Sequence, residues 1–381
     1  MRTTTAIVEL TEAFEETFAR LGHDADRDRS VVVTSWPSVP IEIIRAAGLR
    51  PVVARGSATP TPAGDPQLES DIFPSRLRHL VEAALSGRLS HVARIVVPRT
   101  SDTDYKCFLY LREFARTGVG QTMAPIVLFD LLQSGGPDVG AYNVARTRAL
   151  VDELASASGA VPSDDTLRRA VTNANVARAT ARCLIALRRG VPRITGTEVF
   201  PLLGAFWQMP PEHYAPLAEQ AANEIARRPP LAGPRVLLTG APVDGSTLHA
   251  AIESHGAIVV AEVSPWGSGV AGNDVAADDD VIAALTNKYR AESIGARMSV
   301  AAMQGVTERG LDGIDAVVVS LPPEDSVFGW DYPVLREALA VRRIPHVCVR
   351  SDPYQPLTQL DHSQLEALVA AAARAQEARH G

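Results

Sequence analysis

Ser101 and Asp102 stand side by side in the stretch TSDTDYKC, just after an apolar run, and Cys107 lies six residues beyond the serine. A hydroxyl next to a carboxylate can orient a ligand and take up a proton, provided the carboxylate is desolvated. The segments Ser35-Trp36-Pro37-Ser38 and Ser264-Pro265-Trp266-Gly267 each set a serine beside an indole. That pairing offers a hydrogen-bond donor next to a flat apolar wall, suited to a planar organic group. Glu42, at the start of a helical pattern, is a second candidate acid or base. Each of these residues also has a structural alternative, because Ser and Asp oxygens cap helices and a carboxylate in a first helical turn complements the helix dipole.

Other chemistries find less support. GAPVDGST (240–247) has phosphate-loop spacing but carries Ser246 where that loop requires lysine, so it reads as a strand-to-helix turn. Neither HExxH nor GxSxG occurs. The histidines are scattered, and Cys107, Cys183 and Cys348 are far apart and odd in number, which suits neither a metal knuckle nor a disulfide framework. No metal is therefore expected on this chain. A net charge of −7 without a basic block argues against nucleic-acid binding, and no apolar run is long enough to span a bilayer. The first residues are acidic and amphipathic, unlike a signal peptide, so the expected location is cytoplasmic.

These loops need a scaffold, and the apolar pattern supplies one. Short β-branched runs at 31–36, 51–56, 94–100 and 124–131, and again at 235–240, 257–263, 315–321 and 345–351, alternate with helical stretches. Continuous apolar strands between helices are the pattern of a parallel sheet covered on both faces. The fold class is α/β, with two flavodoxin-like, doubly wound parallel-sheet domains joined by a helical segment. The expected boundaries are 1–140, 141–232 and 233–381. Within the connector, Ser163 as N-cap and Gly190 as stop bracket one long helix. Ligands of open α/β sheets gather beyond the carboxyl ends of the strands, which is where the serine loops fall.

SVPIEIIRAAGLRPVVARG (38–56) resembles the opening motif of the 2-hydroxyacyl-CoA dehydratase family, whose members include benzoyl-CoA reductase subunits. The likeness continues in order through residues 80–102, 194–214, 233–263 and 330–347. It implies two flavodoxin-like halves, pairing of homologous subunits as a heterodimer, and an acyl-CoA ligand. It also implies a 4Fe-4S cluster held by three cysteines between the halves and reduced by a separate activator.

Carried over residue by residue, the three ligand positions fall on Pro74, Ser101 and Ser264, with Arg78 matching the family's nearby arginine. None is a cysteine, and soft thiolates are what such clusters need. The resemblance then implies no cofactor bound by this chain, and a cluster only in a partner subunit. The leading expectation is a cluster-free subunit of an acyl-CoA dehydratase or reductase heterodimer, with a homodimer as the alternative assembly. A second possibility is iron-independent acid–base chemistry by Asp102, Glu42 and Ser101. In that case Ser35, Trp36, Ser264, Trp266 and Arg78 would contact an acyl thioester in the cleft. A non-catalytic binding module is the third.

Overall fold

The computed structural model describes residues 5–22, 28–69, 71–276, 280–297, 305 and 307–380. Each of the eight apolar runs forms a strand: β1 (Val31–Thr34), β2 (Arg50–Val53), β3 (Arg94–Pro98), β4 (Ile126–Phe129), β5 (Arg235–Gly240), β6 (Ile258–Glu262), β7 (Ala316–Ser320) and β8 (His346–Val349). They build two four-stranded sheets of the same order, β2-β1-β3-β4 and β6-β5-β7-β8, with every pairing parallel. Both are the doubly wound, flavodoxin-like arrangement, in which the strand order turns back beside the first strand.

The helices are α1 (Ala6–Arg20), α2 (Ile41–Ala46), α3 (Ser75–Leu85), α4 (Asp102–Thr117), α5 (Pro137–Ser158), α6 (Asp164–Arg189), α7 (Gly196–Gly204), α8 (Pro211–Ile225), α9 (Thr247–Glu253), α10 (Val281–Ala291), α11 (Phe328–Val341) and α12 (Gln359–His380). The long connector helix α6 starts where Ser163 accepts a hydrogen bond from the Thr166 amide (3.2 Å), and it ends at Gly190. No helix among the described residues is long and apolar enough to cross a membrane.

Alternation along the first sheet sends Val31, Val33, Ile95 and Val97 to one face, where α3 contributes Leu77, Leu80 and Val81 and α4 contributes Cys107 and Leu111. Val32 and Val96 point to the other face, against Ile43 and Ile44 of α2, Leu150 and Leu154 of α5, and Ile282, Leu285 and Tyr289 of α10. In the second sheet Leu237, Val317 and Val319 pack with Leu311, Phe328 and Leu339. Strands buried on both faces lose their amphipathic pattern, which is why the runs read as continuous.

Contacts divide the chain into two compact units that interleave along the sequence. The first comprises 1–179, 205–217 and 272–293; the second comprises 180–204, 218–271 and 294–381. The block 141–232 is thus shared between the units, and α10, which follows β6 in sequence, completes the core of the first.

Candidate functional site

In the first unit the loops after β1 and β3 meet around Asp104. Ser101 is the N-cap of α4; its hydroxyl accepts from the Asp104 amide (3.0 Å) and donates to the Asp104 carboxylate (2.9 Å). Thr100 donates to the same carboxylate oxygen, and Arg76 of α3 forms an ion pair with the other (2.8 Å). Arg76 also donates to the Ser35 carbonyl (3.0 Å), and its guanidinium lies 4.5 Å from the centre of the Trp36 ring. Asp104 is completely buried, so the arrangement is a charged hub closed by a hydroxyl pair and a cation. Trp36 and Ser35 are buried as well, and the Ser35 hydroxyl has no hydrogen-bond partner among the described residues.

Asp102 stands two residues before Asp104, in the same first turn of α4, and faces solvent. Its side chain is 97% exposed and lies 3.6 Å from the Arg99 guanidinium. A carboxylate in open water keeps its hydration shell, and this one lies outside the buried network. Arg78 is engaged in shaping its own loop, donating to the Phe73 carbonyl (3.0 Å) and pairing with Asp65 (2.6 Å). Pro74 is the N-cap residue of α3 and has no side-chain donor.

Glu42 sits in the first turn of α2, fully buried. One carboxylate oxygen pairs with Arg178 of α6 and the other accepts from the Tyr289 hydroxyl of α10 (2.9 Å). That hydroxyl in turn accepts from the Ile41 amide (3.3 Å). Burial works against the Arg178 charge, yet Glu42 raises its pKa; burial and Glu42 together push Tyr289 well above the usual phenol value. Both oxygens of Glu42 therefore hold three elements of the first unit together.

The second unit holds its own buried set. Glu262, at the end of β6, receives both arms of the Arg188 guanidinium (2.5 and 2.9 Å), the Ser268 hydroxyl (3.0 Å) and the Nε2 edge of His249 (3.2 Å). Burial alone would raise the Glu262 pKa, but Arg188 and then His249 hold it far below the ordinary carboxylate range. Gly196 opens α7 directly above: a Cβ there would come within 2.8 Å of Val259 and 3.0 Å of the His249 ring. Two residues past Glu262, the fully buried Ser264 hydroxyl donates to the Val243 carbonyl (2.7 Å) and accepts from the Trp266 amide (3.2 Å). Trp266 is fully buried too.

The three positions that the family resemblance assigns to cluster ligands do not fit an iron–sulfur group. Pro74 has no donor atom, and the Ser101 and Ser264 hydroxyls are each engaged with neighbouring backbone. Cys107 does not replace them: it lies in the core beneath α4, where burial and then the Asp104 carboxylate push its thiol up to about 12. Under α11 a cavity of about 120 Å³ lies between Thr239, Leu311, Val319, Phe328 and Tyr332. It is smaller than the roughly 300 Å³ at which organic-ligand pockets begin.

Sequence reasoning picked the neighbours of the two hubs and missed their centres. Asp104 and Glu262 each draw a partner from another element, Arg76 from 28 positions away and Arg188 from 74. One signal was present: Ser-x-x-Asp at 101–104 is a capping-box spacing, which draws attention to the fourth residue as much as to the first.

Comparison with known proteins agrees with the fold. The family model of the 2-hydroxyglutaryl-CoA dehydratase D-component matches residues 38–370. A benzoyl-CoA reductase subunit of Thauera aromatica is 29% identical over 213 residues, which cover 54% of this chain and 52% of that protein. The matched stretch thus spans about half the length of the relative. With the family match running from the loop after β1 through the other seven strands and the interleaved helices, the chain belongs to the 2-hydroxyglutaryl-CoA dehydratase D-component family.

Proposed function

We propose that this chain is a cluster-free subunit of an acyl-CoA dehydratase or reductase, working beside a homologous subunit that carries the iron–sulfur group. The observation that carries the proposal is the donor set at Pro74, Ser101 and Ser264, where one position has no donor and two hydroxyls are bound to backbone. A serine hydroxyl that keeps its proton is a poor ligand for iron, whereas thiolates are the usual one. The family match and the named relative support an acyl thioester as ligand class, and the relative is itself called a subunit. In this reading the chain's own residues shape and brace loops: Arg76 and Asp104 fix the ends of β1 and β3, and Arg188 and Glu262 fix the end of β6.

The test is iron and acid-labile sulfide on protein purified without oxygen, alone and together with any co-purifying chain of similar size. The expected result is no cluster on this chain alone and one in the complex. About four irons per isolated chain would overturn the proposal. A complex without iron would remove the partner's role while leaving the cluster-free state of this chain intact.

A further inference from the structure

The cavity under α11 lies wholly within the second unit, at a particular place in its sheet. The strand order β6-β5-β7-β8 turns back between β5 and β7, and Thr239, Gly240 and Val319, which line the cavity, come from the carboxyl ends of those two strands. In open α/β sheets that crevice is where ligands bind. The volume of about 120 Å³ is too small for a whole coenzyme A thioester, yet it is of the order of the roughly 150 Å³ cavity that admits a benzene ring. Protein interiors leave few voids larger than a water molecule, so a space of this size is not ordinary packing slack.

The walls decide what fits. Leu311, Phe328 and Leu335 make the cavity apolar, and the Tyr332 ring adds a second aromatic face. Two carboxylates complete the lining, Asp331 from the first turn of α11 and Glu308 from the helical turn at 307–310. Neither makes a side-chain hydrogen bond or ion pair among the described residues, and no arginine, lysine or histidine lines the cavity. Thr239 and Thr307, both buried and 3.3 Å apart through their hydroxyls, add two further oxygens. Burial, and then Asp325, raise the Asp331 pKa, as expected of a carboxylate without a cation beside it. The dipole of α11 accounts for an acid at Asp331, but neither for Glu308 on another element nor for the cavity that both line.

We propose that this cavity binds a small organic cation, a primary ammonium group carried on an apolar body of about six heavy atoms. The apolar body packs between Leu311, Phe328 and Leu335. The ammonium group takes the carboxylates and threonine oxygens as acceptors, and the aromatic faces favour a cation as well. An acyl-CoA is a polyanion and has the wrong charge for this lining, so the site serves a ligand of a different class. None of Pro74, Ser101 and Ser264 lines it, and the inference stands apart from the cluster-free reading.

Isothermal titration of the full chain near pH 7 with benzylammonium chloride should show saturable binding at one site per chain. Benzyl alcohol, the same body without the charge, should bind about fivefold more weakly, and benzoate, of opposite charge, should not bind. Asp331→Asn should weaken benzylammonium about fivefold and leave benzyl alcohol unchanged. Leu335→Trp, which fills the cavity, should abolish binding of both at unchanged far-ultraviolet circular dichroism. Ala338→Leu, a milder filling from the same helix, should weaken both and guards against a variant that fails to fold. A titration without saturation, benzyl alcohol or benzoate binding as tightly as the amine, or an affinity indifferent to Asp331→Asn would overturn the proposal. So would binding that survives unchanged in a folded variant with the cavity filled.

Discussion

Burial and the adjacent Asp104 push the Cys107 thiol up to about 12, so the side chain stays a neutral thiol in the folded protein. Native protein should expose Cys183 to a thiol reagent at once and yield Cys107 only on unfolding, which mass mapping of the labelled sites would show. The folded value lies above the roughly 8.5 of an unfolded cysteine. This group's contribution to stability is thus complete below about pH 8.5 and is lost as the pH rises toward 12. At Asp104 and Asp102 two neighbouring carboxylates should differ sharply. Asp104→Asn leaves the mostly buried Arg76 without its charge partner and should cost about 3 kcal/mol in urea unfolding. Asp102→Asn, on an exposed side chain, should change stability by less than about 0.5 kcal/mol. Arg343 has a left-handed backbone (φ 54°), so Arg343→Gly should raise stability by about 1 kcal/mol by relieving it, as read from urea unfolding. Nothing in a linear sequence distinguishes an indole that walls a cleft from one that fills a core, and Trp36 and Trp266, both buried here, show why.

Strand by strand, the apolar runs identified all eight elements, because burial on both faces of a sheet writes itself into consecutive residues. The bounds of α6 were legible for a local reason as well: Ser163 and Gly190 act on their own neighbours. The buried pairs were not legible, since a carboxylate on one element carries no mark of an arginine many residues away. Their energetics can be tested as pairs. Arg188→Met would strand the Glu262 charge and should cost about 3–5 kcal/mol, whereas Arg188→Met with Glu262→Leu should recover most of that loss. Because Glu262 is held below its unfolded value, its contribution is present above about pH 4.5 and fades as the pH falls further. Acid unfolding of the double variant should therefore be shallower than that of the parent.

Interleaving is the property of the whole molecule that no local pattern announced. The helix α10 lies in sequence among the elements of the second half, yet its Ile282, Leu285 and Tyr289 fill the core of the first unit. A fragment ending at residue 179 should fail to give the cooperative thermal transition of a folded domain, because it lacks α10 and the stretch 205–217. A sharp transition in that fragment would show that the remaining core suffices. The same arrangement bears on how the protein is made. A ribosome that has finished residue 179 must add another 114 (293 minus 179) before the last piece of the first unit emerges. At bacterial-to-eukaryotic synthesis rates that is on the order of ten seconds. Throughout that time Leu150, Leu154 and Ile44 lack the helix that covers them in the finished protein. The nascent chain is consequently exposed to aggregation in mid-synthesis, and its yield in a cell should depend on chaperone capacity more steeply than its final stability would suggest.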